Sequence, residues 1–519
     1  MPFKTTPEID FSAVGLITDV PTHSLPDGAW NDCLNLRCKD GSVQGVNTFV
    51  DDIVLHGGST PDPVIRDGKA MAVTQFTPAG YNYLVLAFIV KGTDNFGHVV
   101  TYNTSTTTWD DITNSTTALK FTFDDKYPPQ IFVFNELLIV NPAVDAPPMF
   151  TDAGITSGSL ALIPSWPTDS DSAALVTRSL KPFGNRLMAM NIFEEHTALT
   201  SDDVNLPVDI LWSSHITGIG SLTNVEWTAS TTNTAGDAFA VDTPGKILDG
   251  GQLGEFFIAY KSDAVIRVSE TGDTLVLSFE SIFEDDGIYS TRCFANIGDA
   301  QHLVVGNYGV FIHDGQSQKT DIAKGIFQDT IFSLVKAAEK DRAFCFQQTR
   351  DKEVWFCFSS TSNSALGCDL AFVYDYNEQK LHKRSLPGLS DIFETELNGE
   401  LKIYAAKPSD TKLQLLSNTT YEADGFFVQE DNNLTDNTEI KWINGIYLDA
   451  VQSVKIALTA TQRLTDTKVY TLKSFDPATS HKVDVRTTGR YMNLKVQMDG
   501  SNNPQLGKLQ FDIKLAGKR

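Results

Sequence analysis

The feature that most constrains this chain is a short unit that keeps returning: an apolar run, a turn, and a second apolar run. AVTQFTPAGYNYLVLAF turns near Ala79, IFVFNELLIVN at Asn135, LKPFGNRLMAMN at Asn185 and EFFIAYKSDAVIRV near Ser262. HLVVGNYGVFIHDG turns at Asn307, RAFCFQQTRDKEVWFCF near Arg350 and IFETELNGELKIYA at Asn398. Asn and Gly tolerate the positive φ of tight hairpins, so their return at the tips has a physical cause. The tips are 56, 50, 77, 45, 43 and 48 residues apart. A period of roughly 40 to 50 residues is the spacing of a four-stranded propeller blade. Second halves of blades also stand out: HVVTYNTSTTTWDDI (98–112) and LAFVYDYNEQKLHKR (370–384) each read strand, turn, strand. In the first, Trp109 follows Tyr102 by seven residues; in the second, Leu381 follows Tyr374 by seven.

The expected fold is therefore all-β: a β-propeller of about six or seven blades over residues 66–424. Hairpins also recur in sandwiches, and the WD dipeptide set of one propeller class is absent. The 77-residue interval should hold an insertion, NLPVDILWSSHITGIGSLTNVEWTAS, carrying Trp212 and Trp227. Helical periodicity is nearly absent; Asp329 to Asp341 is the best candidate. After residue 424 the period stops and longer alternating strands follow, which need a second sheet or a partner to cover them. Residues 425–519 are expected to form a β-rich platform domain, with the N-terminal arm, 1–65, packed against it.

The 519 residues are 41% hydrophobic and 20% charged, a globular composition, with a formal charge of -24. Such a chain does not wrap nucleic acid, which needs a basic surface. The N-terminus has no apolar h-region, and the longest apolar run, Leu84 to Val90, falls far short of a membrane span. Six cysteines without a CxxC pair point to a reducing cytoplasm.

A search for chemistry singles out no catalytic, cofactor-binding or metal residue. Sialidase-type S-x-D-x-G-x-x-W boxes, GxSxG and HExxH are all missing. Glu284, Asp285 and Asp286 read as a solvated acidic turn. His302 and His313, on opposite arms of one hairpin, read as edge or surface histidines before they read as ligands. TDSDSA (168–173) and QEDNNLTDNTE (429–439) resemble calcium loops in composition only. A two-residue turn near Arg350 would set Phe344 opposite Cys357 and Cys345 opposite Phe356, which separates the two thiols. WSSH (212–215) and GRY (489–491) read as aromatic anchors beside turns. In LPDGAWNDCLNLRCKDGSVQ (25–44), Asp40-Gly41 is a hairpin signal and Leu34, Leu36 and Cys38 share one strand face. Cys33 falls on the opposite face, which disfavours a zinc site, and Trp30 is the expected anchor of the arm.

Taken in order, SLPDGAWNDCLNLRCKDGSVQGVNTF, FGNRLMAMN, VDILWSS, VEWTAS, FFIAYKSDAVIRV, HLVVGNYGVFIHDGQ and GRYMNLKVQM resemble the tail nozzle, or tail hub, proteins of short-tailed bacteriophages. These are also called head-completion or DNA-stabilisation proteins. The resemblance implies a structural virion protein of the tail, assembled in the host cytoplasm and not an enzyme. It implies a homo-oligomer, a hexameric ring below the portal-adaptor protein, with tail fibre or spike proteins attached. Double-stranded DNA would pass through its channel without sequence-specific binding. No cofactor is implied, and neither channel-lining nor fibre-binding residues carry over. The rival expectation is a carbohydrate-binding or glycan-hydrolysing β-propeller.

Overall fold

The computed structural model describes residues 4–54, 68–78, 85–113, 120–151, 159–169, 173–194, 204–272, 275–397, 399–434, 439–498 and 504–518. The turn tips expected at Ala79 and Asn398 lie outside these residues. Elsewhere the turn residues do what their chemistry allows. Asn135 and Glu136, at φ 53° and 64°, join strand Gln130–Phe134 to Leu137–Asn141. Gly184, at φ 53°, joins Val176–Phe183 to Arg186–Glu194. The second-half pairings also form: Tyr102 lies opposite Trp109, their rings 4.8 Å apart, and Tyr374 lies opposite Leu381.

The chain is all-β, and its centre is seven four-stranded antiparallel sheets. Their first strands are Lys69–Phe76, Gln130–Phe134, Val176–Phe183, Ile247–Leu253, Phe294–Ile297, Phe344–Gln348 and Asp391–Leu397. Apart from the fourth and fifth, these strands pack against one another in sequence, and the seventh returns to the first. This is the layout of a β-propeller. Between the fourth and fifth sheets the Phe294 ring spans the gap, where a Cβ on Gly251 would meet it at 2.8 Å. Six sheets are local meanders, each strand pairing with its sequence neighbour. The seventh is not: its outer strand is Asn47–Val54, paired with Lys412–Tyr421. That strand lies inside the segment expected to be platform arm, so the division at residue 65 cuts across a sheet. The physical reason is closure. Pairing a strand from before the first sheet with the last sheet fastens the two ends of the ring together.

Apart from a short parallel pair, Gly15–Leu16 with Ala29–Trp30, the remaining strands make two larger sheets. One contains Lys482–Gly489, Glu439–Ala450, Gln505–Lys518, Ser42–Gly45 and Leu36–Lys39, with Lys4–Thr5 and Glu8–Ile9 also paired to Gln505–Lys518. The other runs Lys473–Phe475, Val454–Thr461, Tyr491–Met498, Phe426–Asn432 and Asp32–Leu34. Ile443, Phe511 and Ile513 of the first sheet share a core with Ile456, Leu494 and Val496 of the second. That core continues into Tyr260, Val304, Phe311 and Phe356 of the fourth to sixth sheets.

The arm reaches both bodies. Asp40 and Gly41 form the expected hairpin tip at φ 50° and 69°. Trp30 is fully buried and stacks on Phe427 at 5.1 Å. The expectation of one strand through Leu34, Leu36 and Cys38 is corrected. Asn35, at φ 57°, breaks it, so Cys33 pairs into one large sheet and Cys38 into the other. Both thiols then enter the same core, and burial pushes the Cys33 thiol up to about 12. Asn35 itself clamps the sixth sheet: its Nδ2 donates to Ser385 Oγ at 2.9 Å, and its Oδ1 accepts from Ser385 N at 2.8 Å. Beside it, Arg37 and Lys39 grip Asp351 at 3.0 and 2.6 Å. Burial raises the Asp351 carboxyl, but the two cations outweigh it and hold the group well below the usual carboxylate range.

The helix candidate resolves into a short helix, Gln328–Leu334, and a 3-10 segment, Ala337–Arg342. Asp19 of the arm caps the helix, accepting from Asp329 N at 2.8 Å and Thr330 N at 3.3 Å. The insertion spans residues 213–235, between the third and fourth strands of the third sheet. It folds back so that Trp227 meets Trp166 edge-on at 4.6 Å.

Candidate functional site at the ring axis

The first strands are apolar apart from a few polar residues, and those residues meet around the axis. Gln130 Oε1 accepts from Leu180 N at 2.9 Å, joining the second sheet to the third. Ser179 Oγ donates to Asp249 Oδ1 at 2.7 Å, joining the third to the fourth. Asp249 Oδ2 accepts from Arg292 N at 3.0 Å, joining the fourth to the lead-in of the fifth. Arg292 Nη1 reaches Asp391 Oδ1 at 3.3 Å at the start of the seventh. Asp391 Oδ2 accepts from Val73 N of the first at 3.1 Å. The sixth joins where Cys345 N donates to Arg292 O at 2.7 Å. A buried polar group must be paired to be tolerated, and here the pairing is itself the inter-sheet contact. Ser179 and Asp249 are fully buried and Gln130 nearly so, so this stretch of the axis is filled by side chains.

Above this girdle, where first strands of the first, second, fifth, sixth and seventh sheets begin, a cavity of about 740 Å³ opens. That volume is in the range of small-molecule sites. Its wall mixes apolar side chains such as Met71, Phe123 and Leu366 with the cations Lys69, Lys91, Arg292 and Arg342. Arg342 is engaged, binding Asp125 at 2.7 Å and Glu339 at 2.9 Å. Arg292 is engaged by Asp391 and by Ser390 O at 3.2 Å, with its guanidinium 5.0 Å from the Phe344 ring centre.

The sequence candidates fall elsewhere. His302 and His313 are direct cross-strand partners, but they are buried, not edge or surface residues. What buries them is Tyr260 of the neighbouring fourth sheet. Its hydroxyl lies 2.7 Å from His302 Nδ1 and 2.8 Å from His313 Nε2. His302 Nε2 faces Gln252 O at 3.2 Å, and His313 Nδ1 accepts from Gly315 N at 3.1 Å. Only one proton arrangement satisfies every contact. His313 Nε2–H donates to Tyr260, Tyr260 O–H donates to His302 Nδ1, and His302 Nε2–H donates to Gln252. Both rings are then neutral, and burial lowers His302 to about 3 and His313 to about 4.

Phe344 faces Cys357 and Cys345 faces Phe356, as expected, although the turn between the strands spans residues 349–352. Glu284 and Asp285 are exposed, and Asp286 pairs with Lys319. Residues 170–172 and 435–438 of the two calcium-like stretches lie outside the described residues. In the described parts, Asp169 Oδ1 accepts from Ala173 N at 2.8 Å, while Glu430 and Asp431 hold Lys468 at 2.9 and 2.7 Å. Among the described residues no group of three His, Cys, Asp or Glu side chains is placed to hold a metal ion. The Asp209 carboxyl, buried with Asp237 beside it, is pushed up to about 6 and was not singled out by the sequence. Neither were Gln130, Ser179, Asp249 and Asp391. The available signal was a polar residue in the first strand of the second, third, fourth and seventh sheets.

No family model matches the chain, and no curated protein matches it. Among solved structures the chain is similar to the WD40 domain of Neurospora crassa Pan2, at 8% identity and a TM-score of 0.38, over 73% of this chain and 95% of that one. The propeller layout stands on the sheets and the girdle themselves.

Proposed function

We propose that this chain is a structural protein of a short phage tail, of the nozzle or hub kind. Its seven four-stranded sheets are the blades of the propeller, and the two larger sheets are the platform. Copies of the chain form a ring below the portal and adaptor, retain the packaged genome and conduct DNA during ejection. The ordered set of resembling segments carries this reading. Its first and last members, around Asp32–Leu34 and Tyr491–Met498, lie in one sheet with only Phe426–Asn432 between them. The filled axis fits the reading as well: a duplex cannot pass through one copy, so its path lies between copies. Among the described residues no helix is long and apolar enough to cross a membrane.

The test is direct imaging. Negative-stain or cryo-electron microscopy of the purified chain, alone and with a portal-adaptor ring, should show ring-shaped assemblies with a central channel. A chain that stays monomeric in both samples and cleaves a surface glycan would overturn the proposal in favour of a propeller hydrolase.

A further inference from the structure

Among the girdle's links, that of the sixth sheet to the fifth runs from main chain to main chain: Cys345 N donates to Arg292 O at 2.7 Å. With that bond in place, standard covalent geometry sets the Cα atoms of Cys293 and Cys345 less than about 7 Å apart. The Cys293 side chain crosses the same gap, its Sγ donating to Ala343 O, two residues before Cys345, at 3.6 Å. Cys293 is fully buried in the core that Phe356 and Phe358 of the sixth sheet share, and Cys345 packs against that core. Cys357 and Cys368 belong to the core on the other face of the sixth sheet. One thiol from each sheet therefore lies in the gap between the fifth and sixth sheets, at a backbone separation that a disulfide spans, about 4.4–6.8 Å. Cys345 is only partly buried, so a small oxidant can reach it.

We propose that Cys293 and Cys345 are a redox pair, which a small peroxide joins in a reversible disulfide that fastens the fifth sheet to the sixth. The Cys345 thiolate attacks one peroxide oxygen, becomes a sulfenic acid and releases hydroxide. The Cys293 thiolate then attacks that sulfur, forms the S–S bond and displaces a second hydroxide. The two thiol protons and the two hydroxides leave as water, so one peroxide is reduced to two waters while two thiols are oxidised. Burial pushes the Cys293 thiol up to about 12 and raises the Cys345 thiol well above its ordinary value. Thiolate is therefore scarce near neutral pH, and the reaction should speed up about tenfold per pH unit from about pH 7 to about pH 9. The pair does not rest on the nozzle reading; it follows from the joint between two sheets.

The experiment treats the full chain with hydrogen peroxide at about pH 9, then unfolds it to count thiols and map its peptides by mass spectrometry. The six thiols should fall to four, with residues 293 and 345 in one disulfide-linked peptide pair, and dithiothreitol should restore all six. The oxidised chain should also melt at a higher temperature than the reduced one, because the bond restricts the unfolded state. Cys345→Ala should keep all five of its thiols under the same treatment. If that variant fails to fold, the peptide map of the unaltered chain decides alone. Four results would each overturn the proposal: six thiols remaining where a denatured control is oxidised, a disulfide between other cysteines, a sulfinic acid at Cys345 with Cys293 untouched, or a melting temperature that falls on oxidation.

Discussion

The Tyr260 hydroxyl is the single atom on which two buried imidazoles depend. Tyr260→Phe leaves His302 Nδ1 without its donor and the His313 Nε2–H without its acceptor, in a site closed to water. The expected loss is about 2–4 kcal/mol of stability, read from the midpoint of urea unfolding. A loss below about 0.5 kcal/mol would mean that the proton relay is not formed. The relay also sets a pH dependence. Both histidines have folded values below their unfolded value, so the native state refuses protons that the unfolded chain accepts. Stability is unaffected by them above about pH 6.5, falls as the pH drops towards 4 and 3, and levels off below. At pH 5 the loss is about 2 kcal/mol per histidine. Imidazole 15N spectra at pH 5 should show both rings neutral and protonated on Nε2; an imidazolium at either position would contradict the arrangement. Reading the sequence placed His302 and His313 on one hairpin but left them at the surface. Their third partner is about forty residues away in another sheet, and no local pattern reports that contact.

At the level of the element, closure of the ring falls on the start of the seventh sheet. Asp391 accepts from Val73 N of the first sheet and holds Arg292 at the lead-in of the fifth. Asp391→Ala removes both contacts at once, leaving the Val73 amide without its acceptor and the Arg292 guanidinium with Ser390 O but no carboxylate. About 2–3 kcal/mol of destabilisation is expected, and Arg292→Ala should add little on top because it removes the same pair. Additive losses in that double-mutant cycle would show that the two residues act separately. Elements of this kind differ in how well a sequence reveals them. The hairpins around Asp40-Gly41, Asn135 and Asn185 were legible because a tight turn selects its residues locally. The break at Asn35 was not, since one residue at positive φ leaves the apolar alternation around it unchanged. Strand Asn47–Val54 was not legible either. Its alternation says that it is a strand, while its place at the far end of the chain's last propeller sheet depends on a pairing across more than three hundred residues.

For the whole molecule, the charge is unevenly shared. Residues 425–519 carry 13 Lys and Arg against 10 Asp and Glu, a net +3, so the first 424 residues, with 28 against 55, carry -27, more than the whole chain's -24. The sequence made the acidity plain; it did not reveal which faces the copies would turn to one another in the proposed ring. Physics still fixes the sign of one response. Copies with this net charge repel at long range, and salt shortens that repulsion from about 30 Å at about 10 mM to about 8 Å at about 150 mM. A contact made mainly of apolar and hydrogen-bonded surface loses nothing over that range. Formation of the proposed ring at fixed protein concentration should therefore increase with sodium chloride, followed by light scattering or sedimentation velocity. The opposite trend, rings at low salt that come apart at about 150 mM, would mean that the mildly basic residues 425–519 of one copy are held by ion pairs to the acidic residues of the next.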